Sequence, residues 1–256
     1  MTKREEVLKK IKNGLIVSCQ AVEGNPLERE CSRNMLLMAE CAALGKCNGF
    51  RANSPENIKP IKEKYPDYPM IGIWKRVMGD NPVYITPTMN EVDALAELGC
   101  EIIAIDATNQ INAEGHYAWE LISKIHEKYP DIVVMADIAT IEDARIAARE
   151  GADIISTTMN GYTAQSEHKH TRGGSDGDPD YEFLRKLKAE NLGKFIIYEG
   201  RIWTPEEAVK CFEEGADCVC VGKAITNPYK TTERFANAIE KYFESKKTKW
   251  CCITFY

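Results

Sequence analysis

One local pattern occurs three times in this chain and restricts its fold more than any other feature. A threonine able to cap a helix is followed by an acid three residues on, a glycine stop, and then an apolar run. The copies are Thr88-Met89-Asn90-Glu91 through Gly99 into EIIAID, Thr140-Ile141-Glu142-Asp143 through Gly151 into ADIISTT, and Thr204-Pro205-Glu206-Glu207 through Gly215 into ADCVCVG. The threonine can accept from an orphan amide of the first turn, the carboxylate can bond back, and the glycine can take the left-handed conformation after the last turn. Each copy therefore reads as a helix feeding a strand. The runs are nearly continuous in apolar residues, which suits a parallel sheet covered on both faces.

Reading outward from the repeats places strands near residues 14–20, 49–52, 70–75, 101–106, 132–137, 153–158, 195–199 and 218–222. Helical patterns lie between them, including Ser54-Pro55-Glu56-Asn57 with serine at the N-cap and proline at the first helical position, and a closing helix at about 231–245. Eight strand and helix pairs in succession predict a closed (β/α)8 TIM barrel, with an open doubly wound sheet as the competitor. The 256 residues suit a single barrel domain over 1–256, since no linker divides them. A polar, glycine-rich stretch at about 165–180, QSEHKHTRGGSDGDPD, predicts a flexible loop at the C-terminal mouth. It reads equally well as a tolerated insertion. A short tail is expected at about 246–256.

Charge and cysteine usage exclude several classes. The net charge is −6 and the basic residues are scattered, which argues against a nucleic-acid groove while leaving room for a local patch that attracts a small anion. Of ten cysteines, Cys19, Cys218 and Cys220 fall in predicted strands and Cys31, Cys41 and Cys211 on predicted helices, with no C-x-x-C pair. They read as small buried hydrophobes of a reducing compartment, with Cys251-Cys252 an oxidisable exception. The opening MTKREEVLKKIKN is too charged for a signal peptide, and no apolar stretch approaches about 18 residues. A cytoplasmic protein with no membrane contact is expected.

In a parallel barrel the carboxyl ends of all strands converge on one face, so residues distant in sequence can surround one ligand. The strand ends here supply Gln20, Arg51, Lys75 with Arg76, Asp106, Asp137, Thr157 with Thr158, Glu199, and Gly222 with Lys223. None is a histidine: His116 and His126 fall in or beside a helix, and His168 and His170 in the polar loop. A metal-dependent sugar epimerase would need imidazole and carboxylate ligands at the mouth, so chemistry without a metal or other cofactor is expected. Lys75 follows an apolar run and stands beside a second cation, both of which lower a lysine's pKa toward that of a usable base. A solvated residue closing a strand is the plain alternative. Glu199 is the matching carboxylate, whose pKa burial would raise. Gly200-Arg201 and Gly222-Lys223 follow strands seven and eight, where many barrels hold a phosphate on backbone amides.

With those residues assembled, the chain resembles the N-acetylmannosamine-6-phosphate 2-epimerases of bacterial amino-sugar and sialic-acid catabolism. The matching segments are GLIVSCQ at 14–20, GFRAN at 49–53, IGIWKR at 71–76, ITPT at 85–88, EIIAIDAT at 101–108, MADI at 135–138, STTMNGYT at 156–163, EGRIWTPEEA at 199–208 and VGKAIT at 221–226. The resemblance implies a phosphate-binding barrel, a phosphorylated amino sugar as substrate, and a homodimer. It implies that Lys75 and Glu199 handle the proton, that Gln20, Arg51 and Asp137 hold the sugar near its reacting carbonyl, and that Gly200 and Gly222 give phosphate-binding amides. Arg234 is a further implied phosphate ligand. Two other readings stay open: a phosphosugar isomerase or Schiff-base lyase on the same barrel, and a phosphosugar-binding regulator without activity.

Overall fold

All three threonine repeats fold as their residues require. The Thr88, Thr140 and Thr204 hydroxyls accept first-turn amides, and Glu91, Asp143 and Glu207 bond back to the threonine amides at 3.1, 2.9 and 3.0 Å. Gly99, Gly151 and Gly215 all take positive φ. At Gly215 a Cβ would also lie 2.7 Å from the Lys188 side chain.

The computed structural model describes residues 1–21, 24–166 and 177–251, with side chains described as far as 246. Residues 167–176 of the expected loop, with His168 and His170, and the tail from 252, with Cys252, lie outside the described residues, as does the Cys251 side chain. Eight parallel strands close on themselves in sequence order: β1 (Leu15–Cys19), β2 (Gly49–Asn53), β3 (Met70–Ile73), β4 (Ile102–Asp106), β5 (Val133–Asp137), β6 (Ile154–Ser156), β7 (Phe195–Glu199) and β8 (Cys218–Val221). The ring is completed by β1 against β8, where Leu15 pairs with Val219.

Helices α1 (Lys3–Ile11), α2 (Cys31–Leu44), α3 (Pro55–Lys64), α4 (Met89–Glu97), α5 (Leu121–Lys128), α6 (Ile141–Arg149), α7 (Tyr181–Ala189), α8 (Pro205–Glu213), α9 (Lys223–Thr226) and α10 (Pro228–Cys251) complete the chain. Among the described residues, no helix is long and apolar enough to cross a membrane.

Side chains on a strand alternate between faces, and that period of two places the site. Residues such as Val17, Phe50, Ile103, Val134, Ile155 and Val219 face outward into the main core, which packs the helices against the barrel. Ile16, Ile71, Ile102, Val133, Ile154, Ile197 and Cys218 fill the interior, joined by Ile11 of α1. Continuing the inward parity toward the carboxyl ends reaches Ser18, Arg51, Asp137, Ser156, Glu199 and Cys220.

Three predicted details differ. Strand pairing ends at Ile73 rather than Lys75, because residues 74–76 turn to pair antiparallel with 84–86. Trp74 and Thr86 exchange bonds there, and Arg76 donates to the Tyr84 carbonyl. β6 stops at Ser156, and Thr157–Met159 form a 3-10 turn. Pro55 opens α3 as expected, but Ser54 does not cap it; with φ at +76° its hydroxyl accepts from Asn57 instead.

Candidate active site

A cavity of about 230 Å³ opens at the carboxyl ends of the strands. Its wall includes Ser18 and Gln20 after β1, Arg51 from β2, Lys75 after β3, Thr158 after β6, Glu199 to Trp203 after β7, and Cys220 to Lys223 from β8 onward.

At its floor is a buried ion network. Arg51 is 1 % exposed, and both its terminal nitrogens are committed: Nη2 donates to Asp137 Oδ2 at 2.6 Å, while Nη1 reaches Glu199 Oε2 at 2.7 Å and Asp137 Oδ1 at 3.2 Å. Burial opposes the charge on Arg51, and the two carboxylates more than offset it, so its pKa lies above the ordinary value. The Thr158 hydroxyl stands between the same two acids, 2.8 Å from Asp137 Oδ1 and 3.2 Å from Glu199 Oε2. Thr157 grips the Glu199 backbone instead: its Oγ1 accepts from the Glu199 amide at 3.0 Å and donates to the Glu199 carbonyl at 2.9 Å.

Burial pushes the Glu199 carboxyl above the usual range, with Arg51 opposing and Asp137 adding to the rise. That makes Glu199 a weaker acid, suited to gaining and losing a proton nearer neutrality. Lys75 is held by its backbone amide, which donates to Asn53 Oδ1 at 2.8 Å. Desolvation lowers its amine's pKa first, then the Arg51 charge, with Glu199 and Asp137 opposing. The lysine is exposed as a residue because the mouth is open, although protein crowds its amine. For reaction the crowding governs, since a substrate filling the cavity expels the water that the open mouth admits. The cation expected to act on Lys75 was Arg76, but Arg76 instead lies over the Trp74 ring at 5.1 Å. Arg51 takes that part.

The far rim differs in kind. Gly200 has φ +118°, open to glycine and strained for any other residue, and Arg201 follows at φ +59°. The Arg201 guanidinium is steadied by the Asn160 carbonyl and side-chain oxygens at 3.0 and 3.1 Å. Across the seam, Thr226 bonds the Ser18 carbonyl at 2.9 Å and Asn25 bonds Asn227 at 2.9 Å, which ties the loop after β1 to the turn after β8.

A family model described as "Putative N-acetylmannosamine-6-phosphate epimerase" matches residues 35–241. The chain belongs to this family. Among its relatives is a "Putative N-acetylmannosamine-6-phosphate 2-epimerase" of Caldanaerobacter subterraneus subsp. tengcongensis, 45 % identical over 236 residues, or 92 % of this chain and 95 % of that one. A protein of the same description from Borreliella burgdorferi is 44 % identical over 241 residues, covering 94 % and 99 %. The solved structure of the N-acetylmannosamine-6-phosphate 2-epimerase from Clostridium perfringens superposes with a TM-score of 0.81 at 40 % identity, covering 90 % of this chain and 95 % of that one.

Of the ten residues that the strand ends and the resemblance assigned to catalysis or substrate binding, Gln20, Arg51, Lys75, Glu199, Gly200, Arg201, Gly222 and Lys223 line the one cavity. Two do not. Asp137 is wholly buried, is not among the residues lining the cavity, and accepts from the Arg51 guanidinium. Arg234 is not among the residues lining the cavity; it lies 4.4 Å over the ring of Trp203, which does line it. Sequence reasoning missed Tyr84, Ile85, Tyr162, Trp203 and Asn227, which reach the wall from loops where no strand period points. It also passed over Ser18 and Cys220, which strand parity could have found.

Proposed function

We propose that this protein inverts C2 of N-acetylmannosamine 6-phosphate to give N-acetylglucosamine 6-phosphate, in amino-sugar and sialic-acid catabolism, with Lys75 and Glu199 handling the proton. The observation that carries this reading is one cavity walled by an amine of lowered pKa and a carboxyl of raised pKa, with Arg51 joined to the acid. Groups whose surroundings pull their affinities for a proton toward each other suit a shared proton-transfer task.

The C2 hydrogen is acidic only when C1 is a free aldehyde, so the open-chain sugar reacts. One group removes the proton, the C2 electron pair delocalises onto the aldehyde oxygen, and a proton then returns to C2 from the opposite face. Both terminal nitrogens of Arg51 are occupied by carboxylates, so its positive charge stabilises the enolate rather than a free donor; Lys75, once protonated, supplies the hydrogen bond. Lys75 follows β3 and Glu199 ends β7, four staves apart in a ring of eight. That opposition favours transfer from two faces over a single base serving both. Gly200, Arg201, Gly222 and Lys223 anchor the phosphate, and Gln20 holds the sugar near its carbonyl, so binding energy remote from C2 keeps the sugar in place through the change.

The test is proton NMR of the sugar phosphate in deuterated water. Deuterium should enter C2 as the two epimers interconvert; interconversion without exchange would exclude proton abstraction. Borohydride added during turnover should leave Lys75 unmodified, and a reduced sugar adduct there would favour the Schiff-base alternative. A non-catalytic regulator would give neither signal.

We also read the protein as a cytoplasmic homodimer. Eight described cysteines are free thiols, in keeping with a reducing compartment. On α10, Phe235, Ile239 and Tyr242 are 70 %, 58 % and 56 % exposed and fall at helical spacing. A groove of about 540 Å³ beside it, with Leu15, Val209, Phe212, Val221 and Ile225 in its wall, leaves the seam of the barrel uncovered. A second copy that covers both surfaces removes an apolar patch that a monomer would expose. Light scattering should therefore report twice the 28.8 kDa chain mass, and Phe235→Glu with Ile239→Glu should halve it. A wild-type chain that stays monomeric at micromolar concentration would end this reading.

A further inference from the structure

We propose that Thr158 is a positioning residue of the reaction, whose hydroxyl holds the Glu199 carboxylate against the cavity wall and turns between Asp137 and Glu199 as the Glu199 proton comes and goes. This rests on Glu199 being the acid and base of the preceding section.

The argument begins with where the chain leaves the barrel. Because pairing stops at Ser156, Thr158 is carried on a short turn, with the Met159 amide bonded to the Ile138 carbonyl at 3.2 Å and the Asn160 amide to the Thr157 carbonyl at 3.0 Å. The turn keeps the inward parity of Ser156, and the two hydroxyls lie 2.9 Å apart. Adjacent threonines thus take hold of Glu199 in two ways, Thr157 at its peptide and Thr158 at its carboxylate.

A count of protons then limits what Thr158 can do. Its oxygen has four polar neighbours: Asp137 Oδ1 at 2.8 Å, Ser156 Oγ at 2.9 Å, Glu199 Oε2 at 3.2 Å and Arg51 Nη1 at 3.4 Å. A hydroxyl has one proton to give, so it can serve only one of the two carboxylates at a time. Asp137 is already doubly bonded to Arg51 and needs Thr158 least. While Glu199 is ionised, the proton of Thr158 is best spent on Oε2, as a charge-assisted bond. When Glu199 takes up a proton, the hydroxyl can swing back to Asp137 without any heavy atom moving. The exchange needs only rotation about one bond, and in each charge state it gives the proton to the acid that gains most from it.

The charged and titratable groups facing Glu199 are Arg51 from β2, Lys75 after β3, Asp137 from β5 and Cys220 from β8, whose thiol also influences the Glu199 carboxylate. Among the described residues, the Thr158 hydroxyl bonds both that carboxylate and Asp137.

Two variants separate this role from plain packing. Thr158→Val keeps the shape and removes the hydroxyl, and Thr158→Ser keeps the hydroxyl. With Thr158→Val, kcat should fall by about 10- to 100-fold, the worth of one hydrogen bond to a charged group, while KM stays within about twofold. The acid limb of its kcat profile should move to higher pH, because the ionised form of Glu199 has lost a donor. Thr158→Ser should restore kcat to within about threefold of wild type. A Thr158→Val enzyme with wild-type kcat and pH profile, or a loss that Thr158→Ser does not restore, would overturn the proposal. Full activity in Glu199→Ala would instead remove the premise about Glu199, so the two failures are distinguishable.

Discussion

Lys75→Ala should lose C2 inversion by at least about 10²- to 10⁴-fold, the range that a positioned acid or base contributes, and C2 deuterium exchange should vanish with it. Glu199→Ala should do the same. The more telling variant is Lys75→Arg, which keeps the positive charge and the approximate reach but cannot give up its proton near neutral pH. If Lys75 served only to neutralise the phosphate or the enolate, Lys75→Arg would retain much of its rate. As a base it should be nearly as slow as the alanine variant. Because Lys75 lines the open cavity and has no ion pair among the described residues, Lys75→Ala should cost little stability, and a near wild-type unfolding midpoint should accompany its lost activity. Glu199→Ala also breaks the pair with buried Arg51, so a lower midpoint is expected there, with circular dichroism still showing the folded barrel. Near-normal turnover in any of the three would remove that residue from the chemistry.

Arg51→Met is expected to act in a different way, through the fold. It would leave Asp137, wholly buried, with only the Thr158 hydroxyl as a side-chain partner, and Glu199 without its cation. Removing one partner of a buried ion pair typically costs about 3–5 kcal/mol, because the charge left behind has lost water and gained nothing. In a chain of this size that corresponds to a fall in Tm of about 6–20 °C. Part of the loss should return in Arg51→Met with Asp137→Leu, where no carboxylate is stranded beneath the cavity floor. Urea midpoints of the two variants decide the matter: an Arg51→Met protein as stable as wild type would show that the network is not structurally coupled. Activity should be lost in both, since neither retains the charge that faces the enolate.

Much of the barrel could be read from the chain because its signals are local. The caps at Thr88, Thr140 and Thr204 and the glycines that end those helices are satisfied by neighbours three or four residues away, so no knowledge of the tertiary fold is needed to see them. The strand ends led to Arg51 and Glu199 for the same reason, since an apolar run and the polar residue that closes it are read from adjacent positions.

Where the structure departs from the pattern read in the chain, the causes are long-range. Lys75 was placed at the end of a barrel strand, but its backbone pairs with Ile85, ten residues downstream, and no local propensity encodes that choice of partner. Asp137 was placed near the sugar by resemblance; its depth beneath Arg51 follows from the registers of β2 and β5, which only the closed ring sets. Arg234 was placed on the phosphate by resemblance, and its position over Trp203 depends on how α10 leaves the barrel. Cavity residues such as Tyr84 and Tyr162 come from loops, where side-chain direction follows from packing rather than from a repeat.

The seam at which Leu15 meets Val219 has a consequence for synthesis. The wall that would hold the phosphate draws on the first stave and the last, and the acid on the seventh lies in register with Cys220 on the eighth. A ribosome must therefore deliver all eight staves before any sugar can be turned over. Half-made chains are silent, and the appearance of activity marks the moment at which the last stave leaves the exit tunnel and docks beside the first.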